Sequence, residues 1–143
     1  MTALKGIVLG FVAGAIATLT VHELISWLFN TYWTGWERVS WDMAPLSNSF
    51  LPDVTVPKIV SAAFWGGLWG IVLWALIRKR TGVSHWLLAL VLGAVLPSLV
   101  AWFVVFPIKD IALTGTLIGG ALLLNGAWGI GVALCMRLFG QRD

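Results

Sequence analysis

The sequence predicts an all-α membrane protein of four transmembrane helices set as two hairpins. Two observations carry that fold class. Hydrophobic residues make up 59% of the chain and charged residues only 10%, with a mean hydropathy of +0.94. A water-soluble domain has about a quarter of its residues charged, so this chain lacks the charge to cover a solvated surface. The apolar residues also fall into four long runs, and about 20 residues are needed to cross roughly 30 Å of hydrocarbon. Four such spans use more than half of the 143 residues. Residues 1–143 therefore read as a single transmembrane domain with no room for a soluble catalytic one.

The first span covers about residues 6–29. Lys5 followed by apolar residues and Ala15-Ile16-Ala17 looks like a secretory leader with a cleavage site, but the apolar character continues past Ala17, so a spanning helix is the reading. Gly6, Gly10, Gly14, Thr18, His22 and Ser26 recur at a spacing of four. Each such step drifts by about 40° around the helix, and a drifting small-residue stripe suits close helix crossing. Glu23 lies about 100° around the helix from His22. An ionisable group within a span is a functional hypothesis by default, so Glu23 and His22 are candidates for a proton or ligand site. The structural alternative for Glu23 is a carboxylate that snorkels or stays protonated. His22 either ligates a macrocycle through a ring nitrogen or hydrogen-bonds a neighbouring helix.

The connection 30–57 is the longest in the chain. Tyr32, Trp36, Val39 and Met43 share one helical face, Trp33 and Trp41 add interfacial rings, and Arg38 can pair with Asp42 at i+4. A short helix lying in the headgroup layer is expected there. Pro45, Pro52 and Pro57 then stop it and favour an extended return. Glu37, Arg38, Asp42 and Asp53 make deep insertion costly.

The remaining spans cover about 59–77, 86–106 and 112–137. Gly66-Gly67-Leu68-Trp69-Gly70-Ile71 matches Asn125-Gly126-Ala127-Trp128-Gly129-Ile130 at an offset of 59, with Arg78 and Arg137 seven residues after each isoleucine. Hairpins that both run in, out and in again would be parallel internal repeats; chance similarity among Gly- and Trp-rich helices is the alternative. Gly66 and Gly70, and Gly115 and Gly119, extend the helix-packing pattern of Gly6, Gly10 and Gly14. Pro97 is expected to kink its helix. Asn125, mid-span, needs a partner: a neighbouring helix, the Trp69 indole or a polar cavity. Of the ten tryptophans, Trp65, Trp69, Trp102 and Trp128 lie deep, where they either wall an apolar ligand site or fill space between glycine-notched helices.

Orientation follows from the loops. Lys5, Arg78, Lys79, Arg80, Arg137 and Arg142 fall on one side of a four-span path, and only Arg38, Lys58 and Lys109 on the other. Lysine and arginine stay inside, which predicts cytoplasmic termini in a bacterial inner membrane. The net charge of +3 is thereby explained without a nucleic-acid partner, for which no basic face or motif is present. The one cysteine, Cys135, can form no internal disulfide. Neither a nucleophile–base pair, a phosphate loop nor metal-spaced ligands occur, so neither an enzyme nor a cofactor is expected. The leading expectation is a protein acting by helix association with other membrane subunits or itself in the lipid bilayer. The alternatives are a proton-linked transporter or channel using Glu23, and a module that binds a cofactor, pigment or lipid.

Overall fold

The structure is a computed structural model that describes residues 2–33, 35–46 and 55–140. It is all-helical, with no strand among the described residues. Four helices are long and apolar enough to cross a membrane: α1 (Ala3–Tyr32), α2 (Lys58–Ile77), α3 (Gly82–Ile108) and α4 (Gly115–Phe139). Their boundaries follow local chemistry. Pro57 precedes the first turn of α2, where a missing N–H costs nothing. The Thr114 hydroxyl accepts the Leu117 N–H at 3.3 Å and caps α4. The expectations placed on Pro52, Asp53 and Arg142 lie outside the described residues.

Helix α1 packs antiparallel on α2, and α3 on α4, through glycine pairs in one shared arrangement. A Cβ at Gly70 would strike the Gly10 carbonyl oxygen and the Gly14 Cα; a Cβ at Gly129 would strike the Ala89 carbonyl oxygen and the Gly93 Cα. Backbones can approach this closely only where side chains are absent. The two glycines are the same residue in the two matching hexapeptides. Gly115 and Gly119 differ from their expected packing role. Gly115 faces open space, and Gly119 has only the Trp33 ring near it.

The hairpins meet unevenly. Helix α1 packs along α4, whereas α2 and α3 touch more sparsely. Trp128 closes the α1–α4 seam by donating its indole N–H to the Gly14 carbonyl at 3.2 Å and to Thr18 Oγ1 at 3.0 Å. Ala13, Ala17, Leu73, Trp74, Ile77, Ala89, Val132, Ala133 and Met136 fill the half of the bundle nearer the termini. The half nearer the 33–57 connection is looser, and the candidate site lies there.

Two irregularities mark that looser half. Thr18–His22 in α1 and Ala101–Val105 in α3 are π-helical. Such segments interrupt the regular carbonyl ladder and are frequent at functional sites. Pro97 lies inside α3, one turn before the second π segment.

The interfacial helix expected over residues 32–43 does not form: among the described residues 35–46 none is helical. Arg38 does not pair with Asp42 either. It reaches back to Glu23, while Asp42 pairs with Lys58 at 2.9 Å. A buried carboxylate is a far stronger attraction for a guanidinium than an exposed i+4 neighbour, and satisfying it requires an irregular backbone.

Candidate functional site

Glu23 follows directly on the first π segment and is fully buried. It neither snorkels nor stands alone. Arg38 grips it in fork geometry, with Nη2 donating to Oε1 at 2.6 Å and Nη1 to Oε2 at 3.2 Å. The Trp41 backbone N–H donates to Oε2 at 2.6 Å, and His22 Nδ1 lies 3.2 Å from Oε1. A buried charge is tolerable only when it is paired and its lone pairs are filled, and Glu23 meets both conditions.

The surrounding contacts turn this ion pair into a staple between α1 and the loop. Ser26 Oγ accepts from Arg38 Nη1 at 3.1 Å and from the Trp36 indole at 3.2 Å. Asn30 Nδ2 donates to the Arg38 carbonyl at 2.6 Å. The Trp41 indole donates to the Leu19 carbonyl, inside the π segment, at 2.9 Å. Trp41 adopts a left-handed backbone with φ of 48°, which is unfavourable for a bulky residue; its two hydrogen bonds to α1 hold it there.

Below the staple lies a cleft of about 200 Å³ lined by Thr18, His22, Ala62, Trp65, Gly66, Trp69, Pro97, Asn125 and Trp128. All four helices contribute. The lining is mostly apolar, and several of its polar groups are already committed. Thr18 Oγ1 donates to the Gly14 carbonyl at 2.9 Å while accepting from Trp128. Asn125 Nδ2 donates to Ser98 Oγ of α3 at 2.9 Å.

The sequence-derived candidates thus separate into groups. His22 and Asn125 line the cleft together, with Trp65, Trp69 and Trp128 as wall. Trp102 is not part of that wall. It sits in the second π segment with its indole N–H buried and unbonded among the described residues. The expectation rests on its depth along the span, and depth does not fix the face from which a side chain projects. Glu23 belongs to the staple behind His22. His22 bonds its own sequence neighbour Glu23 and not a neighbouring helix. His85 is fully buried elsewhere, beside Trp86.

Sequence reasoning missed Arg38, Ser26 and Trp41 as a unit. The available signal was the buried carboxylate itself, which needs a cation, and Arg38 is the one arginine in the facing loop. Among the described residues no group of three or more His, Cys, Asp or Glu is placed to hold a metal ion. Comparison with protein-family models, curated proteins and solved structures finds no match to this chain.

Proposed function

We propose that this small integral membrane protein holds the chain or ring of an apolar membrane molecule in its tryptophan-walled cleft. The cleft is the observation that carries the reading. It is a half-open cleft between the helices, and binding sites are mostly apolar with a few convergent polar groups. This cleft, at about 200 Å³, is smaller than the roughly 300–1,000 Å³ of a drug-sized site. It suits one acyl chain or one ring, not a tetrapyrrole.

The competing readings have weaker support. Association through the glycine stripes loses most of its motive because Gly6, Gly10, Gly14, Gly66 and Gly70 face partners within the chain, which leaves Gly115 open and Gly119 lightly covered. Proton-coupled transport through Glu23 would require a carboxylate engaged by Arg38, His22 and Trp41 to release them. The experiment is native mass measurement of protein released from mild detergent. Wild type should retain an apolar molecule at near one per chain, and Ala62→Trp, which fills the cleft, should lose it. A wild type that carries nothing, or a variant that carries as much, overturns the reading.

We also infer that the two hairpins are parallel internal repeats, supported by the equivalent contacts at Gly70 and Gly129. By the positive-inside rule, we place the termini and Arg78, Lys79 and Arg80 in the cytoplasm of a bacterial cell. A cysteine at Met43 should then react with an impermeant maleimide in intact cells, and one at Thr81 only after lysis.

A further inference from the structure

We propose that the occupant of the cleft is a neutral amphiphile bearing a hydroxyl group, which it donates to Nε2 of His22. The proposal rests on the cleft reading above and adds the chemistry of the ligand's polar end.

His22 closes the π segment and lines the cleft, with its side chain 17% exposed. Its Nδ1 faces Oε1 of Glu23 at 3.2 Å. A carboxylate already ion-paired with Arg38 can only accept there, so Nδ1 carries the proton. A neutral imidazole protonated on one nitrogen keeps a lone pair on the other. Nε2 is therefore an acceptor, and no described residue donates to it. The carboxylate fixes the ring's tautomer and orientation, as outer partners do for ligating histidines.

The other polar atoms sharpen the class. Thr18 Oγ1 and the Trp128 indole are spent within the protein, and Asn125 Nδ2 gives one of its two N–H groups to Ser98. Trp65 and Trp69 line the same cleft and supply apolar ring surface beside His22. A hydroxyl donates once and accepts twice, so its hydrogen can meet His22 Nε2. An ether or ester can only accept, and leaves Nε2 unmatched.

Charge excludes the ionic heads. Glu23 and Arg38 neutralise each other, and both Arg38 terminal nitrogens already donate to Glu23 and Ser26. A carboxylate or phosphate head would shed its water with no free cation to meet it, and an ammonium head would have to compete with Arg38. Either cost is severe in an apolar site.

The test uses purified full-length protein in detergent and reads quenching of tryptophan fluorescence. The probes are a dibrominated octadecanol, its methyl ether and the matching carboxylate. In wild type the alcohol should half-saturate at about a fivefold lower concentration than the ether, the size of one net hydrogen bond, and the carboxylate should bind more weakly than the alcohol. The variant His22→Asn keeps a donor toward Glu23 and withdraws the acceptor from the Nε2 position, because its amide oxygen lies one bond from Cγ where Nε2 lies two. It should lose the preference for the alcohol over the ether, whatever its affinity for each. Saturable ether binding certifies the variant's fold; if the variant cannot be purified folded, the wild-type ratio decides. A wild type that binds all three probes alike overturns the hydroxyl inference and leaves the cleft reading standing. A wild type that binds none overturns both. A preference that survives in His22→Asn overturns the role of His22.

Discussion

In the α1–α2 hairpin the π segment reads Thr-Leu-Thr-Val-His and runs straight into a buried ion pair. In the α3–α4 hairpin the segment reads Ala-Trp-Phe-Val-Val, and none of its residues is buried. Both hairpins cross on glycines in the same arrangement, and both break helical register in the same half of the bundle. They differ in their polar residues and in the length of the connection beyond the π segment. The first hairpin carries the long connection, whose Arg38 and Trp41 fold back onto α1; the second has only a short turn before α4. A shared crossing thus carries two irregularities one helical turn apart, and the polar side chains decide which becomes a site. The asymmetry also explains the cleft: Trp128 closes the α1–α4 seam, while α2 and α3 touch sparsely on the other side.

The sharpest way to break the comparison is to remove the cation from the first hairpin. Arg38→Met leaves Glu23 buried without its charge partner, and breaking a buried pair from one side costs about 3–5 kcal/mol. The guanidinium side chain is 36% exposed, which puts the expected loss near the lower figure, about 3 kcal/mol. Adding Glu23→Leu should recover most of it, because the cost lies in the stranded carboxylate. Unfolding of the purified protein in mixed detergent measures both. A loss below about 0.5 kcal/mol, typical of an exposed pair, would mean the staple does not hold the loop.

The next effect tests what the hairpins share. Gly70→Ala and Gly129→Ala each force a methyl against a backbone carbonyl, and overpacking of that kind costs about 1–3 kcal/mol. The two losses should match within about 0.5 kcal/mol, while Gly115→Ala, with open space beside it, should cost nothing by packing. Unequal losses would show that the resemblance of the contacts is not energetic. A smaller effect belongs to the first hairpin alone. Trp41→Phe removes the indole donor to the Leu19 carbonyl and keeps the ring, at about 1 kcal/mol. The same variant should speed amide exchange in Thr18–His22 and leave Ala101–Val105 unchanged.

The sequence is legible wherever one local rule decides the outcome. Four apolar runs leave only spanning helices as a way to satisfy the backbone in lipid, and the four-residue stripe from Gly6 through Thr18 marks the contact face. Asn125 has to find a partner, and Ser98 supplies it. The site is legible in its residues but not in its wiring. Local i+4 pairing points Arg38 to Asp42, whereas its partner, Glu23, lies fifteen residues back and is reached only when the loop abandons helix. The π segments have no sequence signature of their own. Depth along the span groups Trp102 with the other deep tryptophans, yet depth does not fix the face, and Trp102 does not join their wall.

The smallest expected effect concerns the second anchor of the long connection, which shows by contrast what burial does for the first. Asp42 Oδ2 accepts from Lys58 Nζ at 2.9 Å, its Oδ1 accepts the Ala44 N–H at 2.9 Å, and its carbonyl accepts the Ile59 N–H at the start of α2. The hydrogen bond from Lys58, helped by that from Ala44, holds the Asp42 carboxyl below its usual range. A carboxyl lowered in the folded state binds its proton more readily when unfolded, so its contribution is present above the unfolded pKa, about 3.9. It is lost as pH falls through the lower folded value. Lys58 is about half exposed, so salt should weaken the pair as well. Unfolding midpoints of wild type and Asp42→Asn should therefore differ slightly at pH 7 in low salt. The difference should shrink below about pH 4 and in high salt, whereas the Glu23–Arg38 staple should respond far less to salt. A gap that widens on acidification would reverse the sign of the linkage and remove Asp42 as an anchor.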